Sequence, residues 1–211
     1  MSRYVAALRI AVGMAIVFAI TWQVEDRVVH NVFRPDQYFS YFTIITSILT
    51  AMVLWVSAAE VLRTGTESAR TLKLRFALTA AYVIVSIVYN LLLRNSAPSP
   101  EDGNYRWPTA PNEILHVYVP IVVLIDWVLV TAPERLTVKQ AWLVLIYPLT
   151  WLALTIIRGL ALGWWPYWFL NPTDEGGVPQ MLTYIGIITA LFTGVGFGLV
   201  ALHRARNRPL A

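Results

Sequence analysis

The sequence contains no cysteine. No disulfide, thiolate nucleophile or cysteine-ligated metal is available to it. Charge is also scarce: only 13% of the 211 residues are Asp, Glu, Lys or Arg, against about 25% in soluble globular domains. A soluble chain of this size cannot cover itself with so few charges. The net charge of +4 does not point to nucleic acid, because the basic residues fall in short runs between apolar segments. The first apolar run ends in Trp22-Gln23-Val24-Glu25-Asp26, not in a small-residue cleavage pattern. It is read as a mature helix and not as a signal peptide.

What the chain does contain is apolar and aromatic. Hydrophobic residues make up 57%, with nine Trp and ten Tyr, the two types that favour the membrane–water interface. A spanning helix needs roughly 20 mostly apolar residues. Six segments qualify: Tyr4–Val24, Tyr38–Leu62, Leu72–Leu93, Pro111–Val130, Lys139–Ala161 and Val178–Leu202. The expected fold is all-α, a single bundle of six transmembrane helices with no room for a soluble domain.

Basic residues mark cytoplasmic loops. Arg3, Arg9, Arg63, Arg70, Lys73, Arg75, Arg135, Lys139, Arg204, Arg206 and Arg208 fall on one side, eleven in all; Arg27, Arg34, Arg94 and Arg106 fall on the other. Both termini are therefore expected in the cytoplasm. The second outer loop, with Pro98, Pro100, Gly103 and Pro108, is expected to be irregular. The third, Gly163 to Pro172, is rich in aromatics. It reads either as an interfacial belt or as a lid over a cavity.

Polar side chains are costly in hydrocarbon and usually face the bundle interior or a wet cavity. The second helix carries Thr43, Thr46, Ser47 and Thr50, the third Asn90, the fourth Asn112, Glu113, His116 and Asp126, and the fifth Arg158. Thr43 and His116 each lie about five residues into helices that enter from the same side, roughly 7 Å deep. Asn90 and Arg158 fall near the same level. A hydroxyl and an imidazole at one depth suggest a nucleophile and its base. Arg158 and Asn90 are candidates to stabilise an oxyanion. Asn112 and Glu113 share a helical face with His116 and are candidates to orient it. Ser47, one turn beyond Thr43, is a further orienting candidate. Asp126 lies ten residues past His116, roughly 15 Å deeper. It is too far to orient that histidine and is expected to pair with a buried donor.

The run Tyr38-Phe39-Ser40-Tyr41-Phe42-Thr43-Ile44-Ile45-Thr46-Ser47 resembles the second-helix motif of the androgen-induced-gene family, which includes the androgen-dependent TFPI-regulating protein and bacterial six-helix relatives. Asn112-Glu113-Ile114-Leu115-His116-Val117-Tyr118-Val119-Pro120, followed by Asp126-Trp127, looks like its fourth-helix motif. Arg158-Gly159 and the stretch from Gly163-Trp164-Trp165-Pro166-Tyr167 to Asn171-Pro172 look like the bacterial branch. The resemblance implies a threonine hydrolase of lipid esters, similar to the hydrolases of fatty acid esters of hydroxy fatty acids. The family's essential Thr and His then fall on Thr43 and His116. It implies a lipid substrate entering from the bilayer and no metal or organic cofactor; together with the charge bias and the shared depth of Thr43 and His116, the site is expected near the outer leaflet of a bacterial cytoplasmic membrane.

Three alternatives remain at this stage. Asp126, Glu113 and Arg158 suit a small-solute or proton-coupled transporter, although no internal repeat is evident. A non-catalytic lipid sensor needs no catalytic residues. A haem carrier would have to use His30 and His116, since His203 lies at the far end.

Overall fold

The computed structural model describes residues 2–96, 103, 105–130 and 134–206. Pro98, Pro100 and Arg208, used in the sequence reading, lie outside the described residues. The described chain is helical, and six of its helices are long and apolar enough to cross a membrane. Helix α1 covers Ser2–Val29, α2 is the single turn Pro35–Tyr38, and α3 covers Phe42–Thr64. Helix α4 (Ala69–Val88) runs on through a π-helical turn, Tyr89–Leu93. Helices α5 (Thr109–Glu113) and α6 (Val119–Leu129) are joined by a second π turn, Ile114–Tyr118, into one span. A 3-10 segment, Val138–Leu145, leads into α7 (Ile146–Leu162). A 3-10 turn, Trp168–Leu170, precedes α8 (Gly177–Arg206).

Helices α3 and α4 form the centre. About half of their apolar windows is buried, against about a fifth for α7 and α8, which leaves the latter pair covered with exposed Leu, Ile and Val. In a soluble protein such a surface would aggregate; in a bilayer it is the solvated surface. Close approach is built with small residues. Gly196 of α8 sits where a Cβ would lie 2.9 Å from the Ala141 carbonyl oxygen, so only glycine lets α8 pack on the 3-10 segment.

The sequence boundaries move in two places, and both matter. Helix α1 continues past Val24 to Val29, although Glu25, Asp26 and Arg27 are charged. Glu25 is exposed, while Asp26, Arg27 and the neighbouring Gln23 have partners. Tyr38 donates to Gln23 at 2.9 Å and Tyr105 to Asp26 at 2.7 Å, while buried Arg27 lies over the rings of Tyr105 and Trp107. The second span starts at Phe42 and not at Tyr38, because Pro35 nucleates the separate turn α2, which Tyr38 closes. Pro at a helix start is favourable, since the N–H it lacks has no partner there anyway.

Pro120 accounts for the π turn in the fourth span. Proline has no amide to give and its ring crowds the carbonyl four residues back, here that of His116. A wider turn over Ile114–Tyr118 relieves the crowding just before it. Such turns recur at functional sites.

At the end of the bundle that holds both termini, four charged side chains are buried together. Arg9 Nε donates to both Asp126 oxygens at 3.3 and 3.2 Å, and Arg9 Nη1 to Ser57 at 2.6 Å. Arg75 Nη1 donates to Asp126 at 2.5 Å, and its Nε and Nη2 grip Glu67 at 3.0 and 2.6 Å. Ser57 donates to Glu67 at 2.7 Å. Two cations and two anions cancel, which is how buried charge is tolerated. Asp126 thus has the buried donors expected of it. Arg9 and Arg75, counted above as loop charges, are instead interior residues at 1% and 2% exposure. Burying them costs the charge bias only two members, and Arg27 leaves the opposite side in the same way.

Candidate functional site

Helix α3 presents a polar stripe to the bundle interior: Thr43, Thr46, Ser47 and Thr50 are all buried. Three of these hydroxyls meet a tyrosine, each from a different element. Thr46 and the Tyr147 phenol lie 2.9 Å apart, Tyr82 donates to Ser47 at 2.8 Å, and the Tyr167 phenol lies within hydrogen-bonding reach of Thr43. Ser47 in turn donates to the Thr43 carbonyl at 2.6 Å. Ser47 therefore braces the turn that carries Thr43 and does not face a substrate itself. Buried hydroxyls that are fully partnered in this way hold their helix in one orientation.

Thr43 opens onto a narrow apolar cleft between the helices. Helices α3, α4, α7 and α8 form its walls, with Phe42, Val85, Val88, Leu149, Leu152 and Ile188 among the lining side chains. The third loop closes over it. Tyr167, Phe169 and Leu170 line the cleft, while Trp165 packs where a side chain on Gly159 would otherwise sit. The loop thus packs over the cleft, with Trp168 against Phe169 and Tyr184 at its edge.

His116 lies in the second π turn, outside the lining of the cleft. Its Nδ1 is 2.8 Å from the Asn112 carbonyl oxygen. A carbonyl only accepts, so Nδ1 carries the proton and Nε2 keeps its lone pair. The ring stacks on Tyr89, with centroids 4.0 Å apart and planes inclined by 23°. Tyr89 belongs to the other π turn, so the two irregular turns face each other through this pair. The Asn112 side chain donates to the Tyr89 phenol at 3.0 Å. Glu113 takes a bidentate bond from Arg94 at 2.7 and 3.0 Å, and Arg94 also donates to Asn90.

The structure thus gathers Asn90, Asn112, Glu113 and His116 into one cluster through Tyr89 and Arg94. The two orienting candidates act differently from expectation. The backbone of Asn112, and not its side chain, fixes the imidazole tautomer, and Glu113 turns to Arg94. Arg158 belongs to another cluster: it donates to Asp36 at 2.8 Å and to Ser40, and lies over the Trp164 ring. Through these contacts it ties α2 and the lid to α7.

The equal-depth argument also changes. Thr43 is one residue into its helix and His116 seven into its span, because the second span begins later than the apolar run and the fourth begins earlier. Among the described residues no hydrogen bond joins Thr43 to His116. His30 and His203 lie elsewhere, each bonded to a backbone carbonyl.

Sequence reasoning missed Tyr89, Arg94 and Tyr167. Tyr and Arg are common at span ends, and periodicity says nothing about which of them turns inward. Comparison of the chain with protein-family models, with curated proteins and with solved structures finds no match.

Proposed function

We propose that this protein is an intramembrane hydrolase of lipid carboxylic esters, with Thr43 as nucleophile and His116 as general base. It is read as a bacterial relative of the androgen-induced-gene family, sitting in the cytoplasmic membrane with its termini inside. The observation that carries the reading is the placement of a buried hydroxyl, Thr43, on an apolar cleft that lies between membrane-spanning helices. The apolar lining suits an acyl chain, and an ester carbonyl carried on it would meet the Thr43 turn that Ser47 braces. A threonine hydroxyl attacks only when a neighbour takes its proton. His116 presents Nε2 as a free base, and on this reading the Thr43 proton reaches it through water. The alcohol leaves with the proton, and water then hydrolyses the acyl-threonine. The cleft lies toward the end of the bundle opposite the termini, which on this reading faces the outer leaflet.

The test is release of fatty acid from an ester of a hydroxy fatty acid by detergent-purified protein, read by mass spectrometry. Wild type runs beside Thr43→Ala and His116→Ala, each checked for monodisperse elution. Loss of about 100-fold or more in both variants supports the assignment. Equal release by all three overturns it.

One observation favours a second reading, a lipid-binding protein without catalysis: Thr43 and His116 each already have another partner. Copurifying lipid, retained by both alanine variants with no turnover of any ester, supports that reading instead. The transporter alternative is weaker, because Asp126, Glu113 and Arg158 are each engaged in an ion pair.

A further inference from the structure

We infer that Tyr167 is a third catalytic residue of this site, its phenol donating a hydrogen bond to the oxyanion formed when Thr43 attacks an ester carbonyl. The inference rests on the hydrolase reading above and adds a group that reading does not contain.

Three features of the lid carry it. The Tyr167 ring is held on several sides. It lies parallel to Phe169, with centroids 5.3 Å apart, edge-on to Tyr41 at 5.8 Å and tilted against Trp151 at 5.9 Å. A phenol so clamped cannot swing, so its hydroxyl is aimed in advance, as an electrostatic catalyst requires. Second, the hydroxyl lies within hydrogen-bonding reach of the Thr43 hydroxyl and of the Phe42 and Thr43 backbone. Those two residues open α3, and Tyr41 before them supplies no side-chain cap. The amides of a first helical turn have no intrahelical acceptor. When the phenol oxygen accepts from them, its own O–H is polarised and free to point elsewhere. Third, Tyr167 lines the cleft together with Thr43, so the carbonyl of a bound ester comes between the two. The oxyanion lies only two bonds from Thr43 Oγ1, within the arc the phenol already covers.

Burial raises the phenol well above its ordinary value, so it remains protonated and serves as a donor. The step balances without further reagents. The Thr43 Oγ1–carbon bond forms as the carbonyl π bond breaks, and that electron pair moves to the carbonyl oxygen. The Thr43 proton passes to His116. Tyr167 keeps its proton and donates a hydrogen bond. Collapse of the adduct restores the carbonyl and breaks the ester C–O bond, and the departing alkoxide takes the proton from His116.

The variant Tyr167→Phe removes the hydroxyl and keeps the ring. With the same hydroxy fatty acid ester as substrate, kcat should fall by about 100-fold while KM stays within about twofold. A kcat within about threefold of wild type overturns the inference and leaves the hydrolase reading standing. A raised KM with kcat retained also overturns it, since that is the mark of a lid that only encloses substrate. Wild type without turnover removes the hydrolase reading and the inference together. If Tyr167→Phe does not elute as folded protein, a ring-fluorinated tyrosine at position 167 replaces it. A changed kcat at constant KM supports the role, and an unchanged kcat overturns it.

Discussion

Arg75 Nη1 donates to Asp126 Oδ2 at 2.5 Å, linking α4 to α6 inside the bundle. Asp126 also takes Arg9 from α1, so three helices meet on one carboxylate. Breaking a buried ion pair from one side leaves the other charge stranded and costs about 3–5 kcal/mol. Asp126→Ala should therefore lower the thermal midpoint of the detergent-solubilised protein more than any other single alanine change in α6. Light-scattering or fluorescence melts measure this, and a midpoint equal to wild type would show that the quartet does not hold the helices together.

Glu67 predicts how stability depends on pH. Burial by itself pushes the Glu67 carboxyl up, but Arg75, Arg9 and Ser57 outweigh it and hold the group below its ordinary value of 4.5. A carboxylate depressed in the folded state contributes stability that is fully present above the unfolded value and is lost as pH falls through the folded one. The melting midpoint should hold from pH 7 down to about 5 and fall below about 4. In Glu67→Gln the midpoint should be lower at neutral pH and flatter toward acid. Parallel acid profiles for both proteins would contradict the assignment.

Gly159 decides whether the lid can seat. A Cβ at this position would lie 2.6 Å from the Trp165 ring, too close for the ring to stay. Gly159→Leu should push Trp165 outward and shift tryptophan emission to longer wavelength. Ester turnover should drop with it, while the helix content seen by circular dichroism stays unchanged. A spectrum and turnover like wild type would mean that the loop closes without this contact.

The cleft wall sets which chains fit. Ile188 lines the cleft from α8, the wall formed by a different helix from that of Thr43. Ile188→Trp fills part of the space and leaves the identities of the proposed catalytic groups unchanged. Long-chain esters should lose turnover by about tenfold, as expected for a few kcal/mol or less of lost fit, while short-chain esters keep theirs. A uniform loss across chain lengths would indicate that acyl chains lie elsewhere.

Much of the architecture is legible in the chain. Runs of about 20 apolar residues form six helices because the backbone must satisfy its own hydrogen bonds once water is gone. The choice of Thr43, Thr46, Ser47, Thr50 and Asp126 as interior polar residues follows from the cost of placing such groups in lipid, whereas Asn112 and His116 are only half-buried and Asn90 is exposed. Helix ends are less legible. Glu25, Asp26 and Arg27 look like the end of a span, and partners such as Tyr105 and Trp107, some 80 residues away, accompany the continuation of α1 through them.

The sequence by itself determined that this is a bundle of six membrane-spanning helices, and which few side chains inside it are polar. Tertiary structure alone decided how those polar groups pair. Arg9 and Arg75 turn inward to Asp126 and Glu67, Arg158 turns to Asp36, and the lid brings Tyr167 to Thr43. The physical reason is that a span is dictated by solvent transfer, a property of each residue, while a hydrogen bond depends on which side chains from distant segments arrive at the same place.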